Sequence, residues 1–451
     1  MEDLNRRKNF EQKNPHIIFI IGFVTVILIG SMLLSLPIAT QSGVSIGFID
    51  ALFTSTSATC VTGLAVVNTA QHWSVFGKII IIILIQIGGL GVMTMATLIS
   101  FFLGKKITLK TRILIMEERN VDELHGVVKL TKNILVYTFG LELLGAILLS
   151  FVFIKDYGVA KGIGFSIFHS ISSFCNAGFD LFGNSLIDYV DNAFVNFVIC
   201  FLIIIGGLGF FVFMDIYKNK GLKKLTLHSK LVLIITVILL IGGALLVFFL
   251  EYDNSETMSN LSFLGKIQAS LFQSITTRTA GFNTIEISDL RMPSIVIFIF
   301  LMFIGGSPAS TAGGIKTTTI GVVFIAIYNL VKGNKSVEIF EKKITGKTIL
   351  KAVSVIGLAS MLIFVVTVIL TITEADKGFD FLDIFFEVVS ASATVGLTRG
   401  LTAELSFFGR VLLTIVMFVG RVGSLTVVYA FLKEDKKVGS YSYPEGKIII
   451  G

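Results

Sequence analysis

The sequence has 451 residues, of which 54% are hydrophobic and only 15% are charged. A water-soluble protein of this length cannot bury so much apolar surface, so the composition excludes a soluble globular protein and predicts a chain that lies in a lipid bilayer. The net charge of +7 does not indicate nucleic-acid binding, because 25 of the 37 Lys and Arg residues lie in the termini and in segments 104–133, 218–230 and 331–347. Basic residues concentrate in cytoplasmic loops, so this distribution predicts a multi-pass protein with both termini in the cytoplasm.

Apolar runs of two lengths alternate along the chain. Long runs, each able to cross about 30 Å of hydrocarbon as a helix, lie at 17–37, 77–103, 131–154, 193–217, 229–250, 293–330, 347–373 and 405–432. Shorter runs, which are too short to cross as helices, lie at 46–58, 162–175, 263–276 and 380–391. All the basic segments fall on one side of the membrane only if the short runs enter and leave by the same side.

This order predicts an all-α membrane protein of four pseudo-repeats around a central pore. Each repeat contains a membrane helix, a re-entrant pore helix, a filter strand and a second membrane helix, which gives 8 transmembrane helices and 4 pore helices. The predicted repeats are 1–103, 104–217, 218–330 and 331–432, and a cytoplasmic tail, 433–451, follows them.

Each short run has the same internal pattern. A phenylalanine is followed after four residues by a hydroxyl side chain, and after nine or ten residues by a glycine. The phenylalanines are Phe53, Phe168, Phe272 and Phe386, and the hydroxyl residues are Ser57, Ser172, Thr276 and Ser390. Roughly 25 residues after each of these glycines, the second long run carries a further glycine cluster, at 88–89, 206–207, 305–306 and 420–421.

The glycine stretches are the predicted selectivity filter. Glycine permits backbone angles that turn carbonyl oxygens inward, where they replace the water shell of a cation, and the carboxyl ends of the pore helices add partial negative charge. The predicted ion-binding residues are Thr59, Cys60, Val61, Thr62, Gly63, Cys175, Asn176, Ala177, Gly178, Thr279, Ala280, Gly281, Thr394, Val395 and Gly396. Cys60 and Cys175 are read as small filling side chains, because the three cysteines have neither disulfide nor metal-ligand spacing.

The long run 293–330 is interrupted by a sequence through which a helix cannot continue. Irregular backbone at membrane depth must line a cavity or be buried in protein, which predicts a hinge or gate just inside the filter; a kink needed only for packing is the alternative. The predicted gate residues are Gly305, Gly306, Ser307, Pro308, Ala309, Ser310, Thr311, Ala312, Gly313 and Gly314.

Two cations at membrane depth, Lys316 and Arg421, are assigned to the same gate. Arg421 is placed in the middle of the last membrane helix, where its charge would repel the permeating ion; a structural pair with an acid or with the carbonyl ends of a pore helix is the alternative. Arg278 and Arg399 flank two filters and are read as braces of the pore helices.

In these motifs the sequence resembles the membrane subunit of the bacterial Ktr-type potassium uptake systems, in the Trk/Ktr/HKT superfamily. The resemblance covers essentially the whole chain and is carried by the four filter glycines, the loop 306–314, Gly420-Arg421-Val422-Gly423 and the terminal Ile448-Ile449-Ile450-Gly451. It implies K⁺ as the transported ion, with serine in place of the first filter glycine in relatives that tend toward sodium.

The resemblance also implies a homodimer in the cell membrane with one pore per protomer. This dimer would sit on a cytosolic ring of nucleotide-binding RCK subunits, opened with ATP and closed with ADP, and Na⁺ would stimulate transport. The inner loops and the tail 433–451 are the predicted contacts with that ring. The chain itself is expected to bind no nucleotide, because it has no Walker-type or GxGxxG unit.

Three functional classes remain. A gated pore driven by the membrane potential fits four repeats of one orientation, whereas an alternating-access cation symporter also uses broken helices but is often built from inverted repeats. A membrane enzyme would need a catalytic cluster within the spans, which the sequence does not contain. The prediction is therefore a K⁺ transporter and not an enzyme.

Overall fold

The computed structural model describes residues 15–92, 94–95, 97–98, 127–334 and 336–431. The predictions that concern the N-terminal segment, most of the basic segment 104–133 and the tail 433–451 therefore lie outside the described residues.

The described chain is almost entirely helical. Its α-helices are α1 Pro15–Leu34, α2 Phe48–Thr59, α3 Thr69–His72, α4 Val75–Leu90, α5 Val127–Tyr157, α6 Val159–Phe174, α7 Ala193–Leu208, α8 Phe210–Asn219, α9 Leu227–Glu251, α10 Phe263–Thr276, α11 Met292–Phe303, α12 Thr317–Val331, α13 Gly346–Thr373, α14 Phe381–Ala393, α15 Leu401–Glu404, α16 Phe407–Val422 and α17 Ser424–Phe431. Short 3₁₀ turns lie at Pro37–Ala39, Ile187–Tyr189, Leu222–Lys224 and Ala375–Lys377. A two-stranded hairpin, β1 Glu338–Ile339 with β2 Lys342–Lys343, joins α12 to α13 and was missing from the all-α prediction.

The helices follow the predicted order four times. The first membrane helices are α1, α5, α9 and α13, and by length and apolar composition each is able to span a membrane. The pore helices are α2, α6, α10 and α14, whose bounds lie within three residues of the predicted short runs. The predicted fold class, an all-α membrane protein of four pseudo-repeats, is confirmed; the boundaries between repeats stay a prediction. The face at which the pore helices begin is called the outer face below.

The second membrane helices differ from the prediction. The sequence predicts an interrupted membrane helix in the third repeat alone. In the structure, however, α7 and α8 meet at an angle of 89°, and α16 and α17 meet at an angle of 92°. The breaks fall at Gly209 and Gly423, whose φ angles are 89° and 94°, and α4 ends in the same way at Gly91, with φ 88°. These angles lie outside the helical region and are favourable only for glycine. The expectation that Arg421 lies in mid-helix was wrong, because it is next to the last residue of α16, directly before the bend.

Ion pairs and caps fix the helices at the outer face. Arg410 of α16 lies 2.6 Å from Asp50 in the first turn of α2, so this pair joins the fourth repeat to the first and closes the ring of repeats. Ser74, Asn192 and Ser406 precede α4, α7 and α16, and each accepts a hydrogen bond from a backbone N–H in the first turn. The caps therefore fix where the second membrane helices of the first, second and fourth repeats begin.

Candidate ion filter and gate

All four filter strands have the same backbone conformation although their sequences differ. In each strand the glycine has a positive φ, between 69° and 93°, and the residue two positions before it also has a positive φ. The residue between them does not, so the strand alternates in handedness and successive carbonyl groups turn toward the same side. The residues with positive φ are Val61 and Gly63, Asn176 and Gly178, Thr279 and Gly281, and Thr394 and Gly396.

The four glycines meet in one ring. A Cβ atom added to Gly63 would lie 3.2 Å from the Cα of Gly178, and one added to Gly178 would lie 2.8 Å from the Cα of Gly281. A Cβ atom added to Gly281 would lie 3.5 Å from the Cα of Gly396, and one added to Gly396 would lie 3.0 Å from the Cα of Gly63. The structure therefore brings together, in chain order, the four glycines that the sequence singled out.

Backbone oxygens line this ring. Each added Cβ atom would also press against the carbonyl oxygen of the residue that precedes the next glycine, and these residues are Ala177, Ala280, Val395 and Thr62. One carbonyl from each repeat thus lies at the ring, and any side chain larger than hydrogen would obstruct it. A ring of carbonyl dipoles around one axis is an arrangement that coordinates a dehydrated monovalent cation.

The hydroxyl residues predicted four positions after each phenylalanine hold the filter strands. Ser57 and Ser390 accept hydrogen bonds from the N–H groups of Gly63 and Gly396, at 3.0 and 3.1 Å. In the other two repeats the hydroxyl is the donor: Ser172 donates to the carbonyl of Phe179, and Thr276 to that of Phe282. The sequence pattern therefore has a structural role that the sequence analysis did not assign.

Several hydroxyl groups of the same strands are buried without a hydrogen-bond partner in the described part of the chain. Among the described residues, four filter threonines have a buried side-chain oxygen with no hydrogen-bond partner: Thr59, Thr62, Thr279 and Thr394. Buried polar atoms are normally satisfied. These oxygens are therefore available to an ion or to water in the filter.

Replacing Ser390 by alanine leaves the buried N–H of Gly396 without its acceptor, and an unsatisfied buried donor costs about 1–3 kcal/mol. We therefore expect the discrimination of K⁺ over Na⁺ to fall about tenfold. The measurement is the ratio of K⁺ to Na⁺ uptake by the variant and the original protein. Ser392→Ala is the matched control, since the Ser392 hydroxyl donates to Val389 within its own helix. Equal ratios in both variants would contradict a role for Ser390 in holding the filter.

The second glycine clusters let the second membrane helices approach the carboxyl ends of the pore helices. A Cβ atom at Gly88 would collide with the carbonyl of Thr59, one at Gly206 with that of Phe174, and one at Gly420 with that of Ser392. In the third repeat Gly305 instead lies against Gly313 of the broken segment. The glycine clusters thus position the filter from behind.

The broken segment between α11 and α12 crosses beneath the filter. Its Thr311 is fully buried and donates its hydroxyl to the carbonyl of Phe174, at 3.0 Å, at the end of the second pore helix. Ser307 and Thr311 donate their backbone N–H groups to the carbonyls of Gly207 and Gly206. The segment therefore pairs with the second repeat at its bend.

The far end of this segment reaches the fourth filter. A Cβ atom added to Gly313 would collide with the hydroxyl of Thr394, and one added to Gly314 would lie 3.4 Å from the Cβ of Ala393. The predicted gate residues thus lie directly below the predicted ion ring, although their role as a gate stays a prediction.

Two cations hold the broken segment. Arg421 donates to the carbonyl of Thr311 in the segment and to that of Gly88 in the last turn of α4. Lys316 donates to the carbonyl of Ala312, at 2.7 Å, and so closes the segment on itself. Both cations satisfy backbone carbonyls, but those that Arg421 contacts belong to the broken segment and to α4 and not to a pore helix. The role of Arg421 as a barrier to the permeating ion stays a prediction.

The two arginines that flank the filters differ in their contacts. Arg399 pairs with Asp383 in the first turn of α14 and also donates to the carbonyl of Ser288, in the third repeat. Arg278 is 8% exposed and its guanidinium lies 3.5 Å from the carbonyl of Gly305. Arg399 therefore braces the pore helix α14, whereas the reading of Arg278 as a brace of a pore helix stays a prediction.

Sequence reasoning missed three acids close to the filter. Glu142, 4% exposed in α5, accepts hydrogen bonds from Gln86 at 3.0 and 3.2 Å and lies behind Cys175. Glu387 in α14 is fully buried and accepts from the hydroxyls of Thr398 and Thr402. Asp180 lies two residues after the second filter glycine. A single acid inside an apolar run, or directly after a filter glycine, is the signal that was available for each of them.

These features together define a membrane protein whose four repeats surround one ring of backbone carbonyls, with a broken helix beneath it. The family model of TrkH, described as a cation transport protein, matches residues 3–440. The chain belongs to this family of cation transport proteins, and the resemblance to the Ktr-type subunits is confirmed. It is thus a member of an ion-transporter family and not of an enzyme family.

Individual relatives agree with this assignment. The chain is 44% identical, over 95% of its length and 96% of the relative, to the potassium/sodium uptake protein NtpJ of Enterococcus hirae. It is also 44% identical to the Ktr system potassium uptake protein B of Bacillus subtilis, with 97% of each chain covered. The crystal structure of the potassium transporter TrkH from Vibrio parahaemolyticus matches with a TM-score of 0.72 at 19% identity, covering 94% of this chain and 86% of that one.

Proposed function

We propose that this chain is the ion-translocating subunit of a Ktr-type uptake system that moves K⁺ into the cell down its electrochemical gradient. The observation that carries the proposal is the ring of four carbonyl oxygens beside Gly63, Gly178, Gly281 and Gly396. Carbonyl oxygens replace the hydration shell of K⁺, while the carboxyl ends of four pore helices favour a cation at the centre. Both curated relatives described above are named for potassium uptake, which supports K⁺ as the cargo.

The membrane potential supplies the driving force in this proposal. Moving one elementary charge through a membrane potential of about 100 mV releases about 2.3 kcal/mol of free energy. The broken segment 305–316 and Arg421 act as the gate that holds the flux below that of an open channel. An alternating-access cation symporter is the second candidate, favoured by the breaks in the second membrane helices. Four repeats of one orientation around a single ring favour the gated pore.

The assembly is proposed on the same basis. One relative is named as a component of a Ktr system. The chain would accordingly form a homodimer in the cell membrane, with both termini in the cytoplasm, and bind a cytosolic ring of RCK subunits that carries the ATP or ADP. Na⁺ would act as an activator, in line with the name of the potassium/sodium relative. The basic inner segments, including 218–230 and 331–347, and the tail 433–451 would face the ring.

Uptake of K⁺, or of radioactive Rb⁺ as its substitute, into cells that lack their own K⁺ transport systems tests the proposal. We expect expression of the chain with a Ktr-type ring to restore uptake, and collapse of the membrane potential to stop it. Gly63→Ser serves as the selectivity control, since it adds a side chain to the ring and is expected to raise Na⁺ uptake relative to K⁺. No uptake by the original protein, or uptake that continues without a membrane potential, would refute the proposal.

A further inference from the structure

A cavity of about 210 Å³ opens on the outer side of the first and second filter strands, and we call it the vestibule. Gly63 and Gly178 form its floor, and its walls are formed by residues 65–69, 179–180, Gly183 and Ala403. A cation that approaches the ring from the outer face therefore has a water-sized space directly above two of the four filter glycines. The vestibule is also where an outer charge acts most strongly on that cation.

Asp180 is a charged residue on the vestibule wall. It lies two positions after the filter glycine of its repeat, and the corresponding residues of the other repeats are Ala65, Asn283 and Thr398. The second repeat thus carries a carboxylate at a position where the other three have neutral side chains. The internal symmetry of the chain does not account for this acid.

The carboxylate of Asp180 is held in place by the backbone that follows it. Its Oδ1 atom accepts hydrogen bonds from the N–H groups of Phe182 and Gly183, at 2.8 and 2.6 Å. Asn68, on the opposite wall, donates to the carbonyl of Gly183 at 2.9 Å and fixes this turn against the first repeat. The side chain is therefore pinned beside the filter and does not swing freely into solvent.

An acid of the fourth repeat at the outer face does not act in the same way. Asp383 is paired with Arg399, so its charge is largely neutralised. Lys78 does not line the vestibule, and its ammonium group donates to the carbonyl of Ala70 at 2.6 Å. Asp180 consequently supplies the negative charge among the residues that line the vestibule.

We propose that Asp180 forms an outer cation site that concentrates monovalent cations above the filter and so sets the apparent affinity for K⁺. This inference rests on the proposed function, because it needs the ring below the vestibule to be the ion path. A charge about 7 Å from a cation changes its occupancy roughly threefold in bulk water and by a factor of roughly thirty to fifty at an effective dielectric of about 20. The expected effect lies between these limits.

Asp180→Asn is the test, since asparagine keeps the Oδ1 acceptor for Phe182 and Gly183 and removes the charge. We expect the KM for K⁺ uptake to rise about five- to tenfold, while the maximal rate stays near that of the original protein. Asp188→Asn is the matched control, because Asp188 is an exposed acid of the same outer loop and does not line the vestibule. Asp180→Glu, which keeps the charge, is expected to retain most of the affinity.

Ionic strength provides a second readout, which needs no variant. Raising it with N-methylglucamine chloride from about 0.01 M to about 0.15 M shortens the screening length from about 30 to about 8 Å. The KM of the original protein should rise and that of Asp180→Asn should change much less. An unchanged KM in Asp180→Asn, an equal rise in Asp188→Asn, a fall in maximal rate alone, or a KM of the original protein that does not depend on ionic strength would overturn the inference. If the original protein takes up no K⁺ at all, the proposed function fails instead.

Discussion

Replacing Gly281 by alanine is expected to reduce K⁺ uptake at least about a hundredfold. The residue has a φ of 80°, which costs an L-residue roughly 1–2 kcal/mol. The added methyl group would also lie 2.6 Å from the carbonyl oxygen of Val395 and 2.9 Å from the Cα of Gly178. Overpacking of this kind costs about 1–3 kcal/mol, and a total near 3 kcal/mol corresponds to about two powers of ten. The measurement is Rb⁺ uptake per molecule of protein in the membrane.

Gly378→Ala separates the backbone effect from the effect on the ring. Gly378 has a similar φ of 76°, and among the described residues no atom lies within 4 Å of the position that its Cβ would take. This control should lose about 1–2 kcal/mol of stability and retain uptake. Uptake by Gly281→Ala at the level of Gly378→Ala would mean that the ring of glycines is not the ion path.

The repeated pattern made the filter predictable from the sequence. The phenylalanine, hydroxyl residue and glycine that are Phe53, Ser57 and Gly63 in the first repeat recur at almost the same spacing in the other three. The four pore helices and their glycines could therefore be placed without a structure. The sequence signal for each pore helix is local, because the length of the helix and the glycine that follows it can be read from about fifteen consecutive residues. The convergence of the glycines into a ring also followed, because irregular backbone at membrane depth must be shielded from lipid.

The bends of the second membrane helices were missed for a physical reason. In α7 and α16 the apolar run continues through the bend, and apolar composition is the quantity from which spans are recognised. The signal was nevertheless present, because a further glycine follows three residues after the first at 88–91, 206–209 and 420–423. Only the third repeat, with its proline, breaks the helix in a way that composition reveals.

Contacts between repeats were beyond sequence reasoning. The hydrogen bonds of Arg421 join residues more than a hundred positions apart, to Thr311 and to Gly88. No local sequence pattern predicts such a pair. Without knowing how the four repeats are arranged, a role could be predicted for Arg421 only because a cation in a membrane-spanning run is unusual. The same holds for Arg410 and Asp50.

Replacing Arg421 by glutamine is expected to raise the K⁺ flux about thirtyfold. A guanidinium about 7 Å from a K⁺ ion, at an effective dielectric of about 20, repels it by roughly 2 kcal/mol, which corresponds to a factor of about thirty in rate. Glutamine can still donate to one of the two carbonyls that Arg421 now contacts, those of Thr311 and Gly88. The variant therefore removes the charge and keeps part of the tether of the broken segment.

Arg421→Lys tests the tether separately, because lysine keeps the charge but lacks the planar fork that reaches both carbonyls. A flux near that of the original protein in Arg421→Lys, together with the increase in Arg421→Gln, assigns the barrier to charge. A high flux in both variants assigns it to the link between the broken segment and α4. Arg410→Gln is the control for loss of one positive charge from the same helix, since Arg410 contacts Asp50 at the outer face. An unchanged or lower flux in Arg421→Gln at equal expression would contradict the barrier, because a purely structural arginine gives no gain of transport when it is removed.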